Sequence, residues 1–562
     1  SGISIADGSG GAASNYTLTG GTHNFTVNRR VVGVSGTRLY DATTNAVASD
    51  LSTHANLVGS QTLTLSGTGT IASKDVGSSK TVSVGTLALG NGSNGGLAAN
   101  YTLTGGTHQL TVNQRPLNAT LARQYDGTTN AAGSDLSSFD ALQGGETLTL
   151  SGSGTAANDN VANGISVSSL GSLALVNGTG LASNYSLNSA AINITQRVLN
   201  SSGSKTYDAN TNALAGAITL SNLVSGEALN HSGTATTSSA NAGSYTISNL
   251  SGISIADGSG GAASNYTLTG GTHNFTVNPK VVSIQGNKTY DGNATISAGN
   301  ITSVVGTVGT QTLVISGGSG TVSSANAATY SSSGINVGTL TLGNGSNGGL
   351  AANYTLTGHA ASSFQVAQRV LSSSGSRIYD GSTTASSSDL TLSNLVGSET
   401  LTLSGNGTLA NANVGTNKSV TLNTLSIANG TNGGLAANYI LTGGTHQLTV
   451  TQRVVSATGT RLYDATSSAN SSDLSLGNLV GSETLVLSGA GTLADKNVAA
   501  NKTIGVGTLS LANGGSGGLA GNYTLTGGSH LLTINQKPVS ITGTRTYNAT
   551  AITLPTDLSI GG

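Results

Sequence analysis

Apolar and polar residues alternate along short stretches of this chain. In segment 369–452, Leu401 and Leu403 are interleaved with Thr400 and Thr402, and the pairs Val420/Leu422, Tyr439/Leu441 and Leu448/Val450 repeat the two-residue spacing. A period of two marks strands with one face on a core. Between them stand turn-formers such as Gly405-Asn406-Gly407 and Asn429-Gly430-Thr431-Asn432-Gly433-Gly434, which accept positive φ and end strands. No stretch carries a 3.6-residue stripe, and Ser, Thr, Asn and Gly are poor helix formers. The pattern predicts an all-β chain of small β-sandwich-like units, about six or seven short strands each. A β-grasp-like unit with one short helix is the alternative. A continuous β-solenoid fits less well, because its rungs recur every ~20–30 residues.

The period of the array is much longer. A tyrosine followed by Asp or Asn recurs at Tyr40, Tyr125, Tyr207, Tyr290, Tyr379, Tyr463 and Tyr547, in steps of 82 to 89 residues. A second tyrosine, preceded by Asn, recurs at Tyr16, Tyr101, Tyr185, Tyr266, Tyr354, Tyr439 and Tyr523. Basic residues hold fixed places ten before the first tyrosine (Arg30, Arg115, Arg197, Lys280, Arg369, Arg453, Lys537) and two before it (Arg38, Arg123, Lys205, Lys288, Arg377, Arg461, Arg545). Segment 1–28 is identical to 251–278, and 90–105 to 343–358, which points to duplication of whole units.

These registers divide the chain into repeats at 30–114, 115–196, 197–279, 280–368, 369–452 and 453–536, with partial repeats at 1–29 and 537–562. The sequence begins Ser1-Gly2-Ile3 and starts and stops inside a repeat, so it is expected to be a window on a longer array. Each repeat is expected to bury its own small core. No Gly/Ser linker separates repeats, and Pro116, Pro279 and Pro538 stiffen three of the crossings. Short, stiff crossings predict an elongated rod.

Composition narrows the chemistry. Among 562 residues there are 83 Gly and no Cys, Met or Trp; 7% are charged and the net charge is −1. With 36% apolar residues the chain is expected to fold. Near-neutrality removes the electrostatic footprint of a nucleic-acid or anionic-membrane binder, and no apolar run is long enough to span a bilayer. The absence of cysteine excludes disulfides and thiolate metal sites, and fits export in an unfolded state.

The triplets Tyr125-Asp126-Gly127, Tyr290-Asp291-Gly292 and Tyr379-Asp380-Gly381 resemble the YDG-type repeats of large bacterial surface adhesins. So do the closing runs Asn100-Tyr101-Thr102-Leu103-Thr104 and Leu110-Thr111-Val112-Asn113-Gln114-Arg115. The sequence departs from that pattern at Tyr40, Tyr207 and Tyr463, where Ala stands for Gly, and at Tyr547, followed by Asn548-Ala549. Such repeats occur in filamentous-haemagglutinin-like exoproteins secreted by the two-partner route and in biofilm-matrix adhesins. The resemblance implies a secreted, extracellular or cell-surface scaffold, with any secretion or outer-membrane anchoring partner outside this window.

Each recurring polar residue has a structural reading beside a functional one. The cation, tyrosine and aspartate of the first motif could form a ligand-binding cluster, or a buried tyrosine beside an ion pair or aspartate-capped turn. The second reading is preferred, since catalysis seldom needs seven equivalent copies. His23, His108, His273, His446 and His530 sit seven residues after the second tyrosine, one per repeat, too few for a zinc site. The loop at Asp7 and Asp257 has Asn91 in the equivalent place, which argues for a turn over a calcium loop. Asp50, Asp135, Asp389, Asp473 and Asp557 recur ten after the first tyrosine, whereas a glycosidase carboxylate pair belongs in one special unit. Sequons at Asn15, Asn100, Asn184, Asn265, Asn353 and Asn522 are read as asparagines bonding local backbone, Asn438 lacking the sequon. No catalytic residue, cofactor or metal ligand is assigned.

The sequence therefore predicts a non-enzymatic stalk or scaffold that projects a binding tip and mediates attachment. The alternative is a multivalent array binding a glycan, such as an exopolysaccharide, or neighbouring rods. Buried tyrosines favour the scaffold, and exposed rings favour glycan binding.

Overall fold

The computed structural model describes residues 2–247 and 250–562. It divides into two compact units, Ser1–Lys205 with Asn210–Val277, and Thr206–Ala209 with Asn278–Gly562. Both are all-β. Among the described residues the only helical elements are three-residue 3₁₀ turns, so the short helix of the alternative unit is absent.

The first repeat shows the plan. Its strands are β1 (Arg30–Val31), β2 (Gly33–Leu39), β3 (Asn45–Val47), β4 (Thr53–Ala55), β5 (Leu63–Ser66), β6 (Thr68–Ile71), β7 (Gly77–Ser83), β8 (Ala88–Asn91), β9 (Tyr101–Thr102) and β10 (His108–Asn113). The count of ten exceeds the expected six or seven because several strands are only two or three residues long. One six-stranded sheet runs β3-β6-β7-β10-β2-β4, and β5 and β8 form a separate ribbon. Side by side within it lie β10 and β2, the last and first long strands. They pair in parallel from Val34↔His108 to Leu39↔Asn113. The same parallel pairing joins Arg115–Gln124 to Tyr185–Thr195, Ser283–Thr289 to Ser363–Ala367, Ser372–Ile378 to His446–Thr451, and Ser456–Leu462 to Leu531–Asn535.

A second layer arises because one hairpin bends. Strands β5 and β6 are continuous apart from Gly67, and pair with β8 and β7 respectively. Gly67 has φ +86°, and a Cβ there would lie 2.1 Å from the Thr86 carbonyl oxygen. Its equivalents Gly152, Gly233, Gly318, Gly405 and Gly489 share the positive φ and the backbone approach of 2.2 Å or less. Only glycine fits. This corrects the reading of Gly405-Asn406-Gly407 as a strand-ending turn. Gly405 kinks the strand, and Asn406 and Gly407 open the next stretch, Asn406–Leu409. Repeat 4 differs: a 3₁₀ turn at Ser332–Gly334 splits the strand equivalent to β7, and the sheet divides with it.

The alternating residues fill the curl. Val34, Leu51, Leu110 and Val112 are fully buried, as are Leu448 and Val450 in repeat 5. Yet the cores are not private to each repeat. The cluster built on Val32, Tyr40 and Leu110 continues into Leu117, Leu148 and Tyr185, which lie beyond residue 114. A second cluster runs from Ala119 and Tyr125 to Leu199 and Tyr266. The expectation of one self-contained core per repeat is therefore replaced by cores that merge across the crossings. Between closing and opening strands stands a single residue: Gln114, Gln196, Pro279, Gln368 or Gln452.

The kink is testable. Gly405→Ala is expected to destabilise repeat 5 by more than ~1 kcal/mol. Gly216→Ala, whose Cβ meets open space, should stay within about 0.5 kcal/mol. Denaturant unfolding compares the two.

Candidate functional site at the repeat crossings

The two tyrosine series meet. Each first-series ring stands edge-on to a second-series ring of the following repeat: Tyr40 with Tyr185, Tyr125 with Tyr266, Tyr207 with Tyr354, Tyr290 with Tyr439, and Tyr379 with Tyr523. Centroids are 5.2–5.4 Å apart and the planes 76–79° from parallel. All ten rings are buried. Edge-to-face pairs add about 0.5–1.5 kcal/mol beyond the area they bury.

Burying two hydroxyls demands partners, and one carboxylate serves both. Tyr125 donates to Glu227 Oε1 and Tyr266 to Oε2, each at 2.7 Å. Tyr290 and Tyr439 share Glu399 at 2.7 Å each, and Tyr379 and Tyr523 share Glu483 at 2.6 Å each. Glu146 takes Tyr40 at 2.6 Å and Tyr185 at 2.9 Å, with Lys74 as a further donor. The chain contains only these four glutamates. In the remaining pair Gln311 takes the role: its Nε2 donates to Tyr207 at 3.0 Å and its Oε1 accepts from Tyr354. Sequence reasoning weighed the aspartates and passed over these glutamates. The available signal was their register, 20 or 21 residues after a first-series tyrosine.

Electrostatics follow from this geometry. Burial, and then the Glu227 carboxylate, push the Tyr125 and Tyr266 hydroxyls up to about 12. Burial and Glu399 do the same for Tyr290, and burial and Glu483 for Tyr379. Burial opposes the charge on Glu146, but hydrogen bonds from Lys74, Tyr40 and Tyr185 together outweigh it and hold its carboxyl below the usual range.

The asparagine before Tyr185, Tyr266, Tyr439 and Tyr523 is a clasp. Asn184 Oδ1 accepts from Val76 N at 2.9 Å while its Nδ2 donates to Asp75 at 2.9 Å. Asn265 holds Val161 N and Asn160, Asn438 holds Ala327 N and Asn326, and Asn522 holds Val414 N and Asn413. The expected bond to local backbone is corrected here, since the partners lie over 100 residues earlier, in the preceding repeat. Asn184, Asn265, Asn353 and Asn522 are buried, while Asn15 and Asn100 are exposed.

The tyrosine and the third residue of the triplet meet the next repeat, and the aspartate between them shapes the turn within its own repeat. After the tyrosine, Asp41, Asp126, Asp291, Asp380 and Asp464 each accept a backbone N–H two residues on. They also pair with the cation two before the tyrosine, as in Arg38–Asp41 at 3.0 Å and Arg377–Asp380 at 3.2 Å. Asp50, Asp389 and Asp473 face the same arginines at 3.7–4.0 Å. The third residue is left-handed whether Gly or Ala, with φ +70° at Gly127 and +62° at Ala42. At Gly127, Gly292 and Gly381 a Cβ would also come within 2.8 Å of Val224, Val396 or Val480 of the next repeat. The cation ten before the tyrosine reaches backward as well: Arg115 donates to the Tyr40 carbonyl at 3.2 Å and Arg197 to that of Tyr125 at 3.4 Å.

The histidines are internal staples. In His108, His273, His446 and His530, Nε2 bonds the carbonyl five residues earlier at 2.7–2.9 Å. Nδ1 faces Ser201 or Ser373 Oγ, or accepts from Val34 or Ala457 N. His23 makes only the first bond, in an exposed segment. In repeat 4, Ser362 Oγ accepts the N–H of Ile284 instead. The loop residues Asp257 and Asn91 both accept the N–H that opens a 3₁₀ turn, at Ala263 and Ala98. They hold turns.

Comparison with known proteins places these features. The family model described as YDG domain matches residues 26–109, 107–193, 190–274, 367–447 and 445–530. No curated protein matches the chain. Among solved structures, the N-terminal eight Ig domains of Down Syndrome Cell Adhesion Molecule (DSCAM) isoform 1.30.30 align at 8% identity. The alignment covers 92% of this chain and 72% of that one with a TM-score of 0.11, too low to carry any argument.

Two outcomes follow. Glu483→Ala leaves two buried hydroxyls without an acceptor and should cost about 2–5 kcal/mol. Glu483→Gln should cost far less, because Gln311 already bonds both rings; unfolding of the two variants side by side decides it. The raised tyrosine values make the crossings alkali-sensitive. Their contribution is complete below pH 10, the ordinary tyrosine value, and is lost as pH rises through about 12. Tyrosinate absorbance should therefore show a late component that moves down in Glu483→Ala.

Proposed function

Because the chain belongs to the YDG domain family, we propose that this repeat array is the non-catalytic stalk of a bacterial surface or biofilm-matrix adhesin. It acts outside the cell and carries a binding tip away from the surface, serving cell–cell or cell–surface attachment. The observation that carries the reading is the use of the recurrent polar residues. Tyrosine, glutamate, asparagine and the third residue of the triplet are spent on joining one repeat to the next. Ten buried rings support a scaffold over a glycan-binding array, since sugar platforms need exposed aromatic faces. Chemistry of composition supports the same side: a cysteine-free, nearly neutral chain suits export before folding and binds neither nucleic acid nor anionic lipid by charge. Exopolysaccharide or neighbouring stalks are the partners this role implies, with secretion and anchoring supplied by other parts.

Small-angle scattering tests the stalk. A repeat of this size has a diameter of about 30 Å, so six in series should give a particle at least ~180 Å long and one repeat wide. A compact envelope contradicts the proposal.

A further inference from the structure

We infer that each repeat is a mechanical clamp, built to hold its fold when the array is pulled from its ends. This rests on the stalk reading above and adds a property to it, resistance to tension.

Topology sets the path of the load. Within a repeat, the chain enters on one long strand and leaves on another, and these two are direct neighbours running in parallel. In repeat 1 the partners run from Val34↔His108 to Leu39↔Asn113. In repeat 2 they span ten pairs, Arg115↔Tyr185 to Gln124↔Thr195, and in repeat 5 six, Ser373↔His446 to Ile378↔Thr451. Tension acts on the start of the entering strand and the end of the leaving strand. In a parallel pair those points lie at opposite ends, so the strands must slide past each other. All the ladder hydrogen bonds then carry load together. If the two strands were antiparallel neighbours, the same pull would open the bonds one by one.

The setting reinforces the shear. The leaving strand is held on its other side by β7 or its equivalent, as in Gln447↔Ser419 and Leu448↔Lys418. Its inward residues, Leu448 and Val450, are fully buried, so sliding exposes apolar area at the same moment. Little slack lies between pairs, because in repeats 1 to 5 one residue separates the leaving strand from the first strand of the next repeat. In repeats 3 to 6 that first strand is a two-residue stretch, such as Arg369–Val370, that leads through Leu371 into the entering strand Ser372–Ile378. Four of those single residues clip the crossing as well, Gln114 Nε2 donating to the Ser183 carbonyl and Gln196 Nε2 to that of Ser264. Gln368 Nε2 donates to the Ala437 and Tyr439 carbonyls, and Gln452 Nε2 to those of Gly521 and Tyr523.

Single-molecule pulling of the whole chain tests this, and the absence of cysteine allows the direction of pull to be chosen. Through the natural ends, discrete unfolding steps of about 250 Å per repeat are expected. In a second geometry, Val370→Cys with Thr445→Cys places both handles at the same end of the parallel pair, on exposed residues. That pull unzips the ladder, and repeat 5 should yield at several-fold lower force. Val454→Cys with Ser529→Cys repeats the comparison in repeat 6 should the first variant fold poorly. Equal forces in the two geometries, or natural-end unfolding without discrete steps, overturns the clamp. An elongated particle in scattering alongside equal forces overturns the clamp alone, whereas a compact particle with a strong directional difference overturns the stalk and leaves the clamp standing.

Discussion

A carboxylate held between two tyrosine hydroxyls from consecutive repeats is the interaction on which the array depends. Two rings buried edge to face leave two polar groups out of water, and an unpaired buried hydroxyl costs as much as a good contact gains. One glutamate answers both, and all four glutamates of the chain are placed to do so. The asparagine clasp and the arginine reaching back to the tyrosine carbonyl fasten the same crossing. Neighbouring repeats are thus joined by specific polar chemistry set within a shared apolar core.

The second constraint is backbone proximity. A unit of 82 to 89 residues with few aromatic residues has little apolar volume with which to fill a wide core. Glycine lets the layers approach instead: Gly405 bends a strand over the Thr424 carbonyl, and a Cβ on Gly407 would lie 2.4 Å from Val420. The high glycine content is in this sense a packing device as much as a source of turns. The parallel first and last strands then fix where chain and load enter and leave each repeat.

Much of this was legible in the sequence. The two-residue alternation at Leu448 and Val450 reported the buried strand face, and the tyrosine registers reported the period. Residue types alone offered an ion pair or an aspartate turn after Tyr379, and Asp380 makes both. What sequence order hid was partnership at a distance. Tyr379 and Tyr523 lie 144 residues apart, and nothing local marks them as neighbours. Asn522 looked like a residue bonding its own turn, because that is what asparagine does most often, yet its partner is Val414 of the repeat before. Gly405-Asn406-Gly407 looked like a turn because glycine pairs usually are; the close layer above it was invisible. The shared cores could not be read for the same reason.

The central claim is that repeats stabilise one another through the tyrosine–glutamate crossings. Calorimetry on proteins of one, two and three consecutive repeats measures that coupling most directly. The account predicts that melting temperature rises with repeat number, that transitions merge, and that replacing the bridging glutamate by alanine returns the longer proteins to the one-repeat value. Identical melting temperatures for one and three repeats would contradict it.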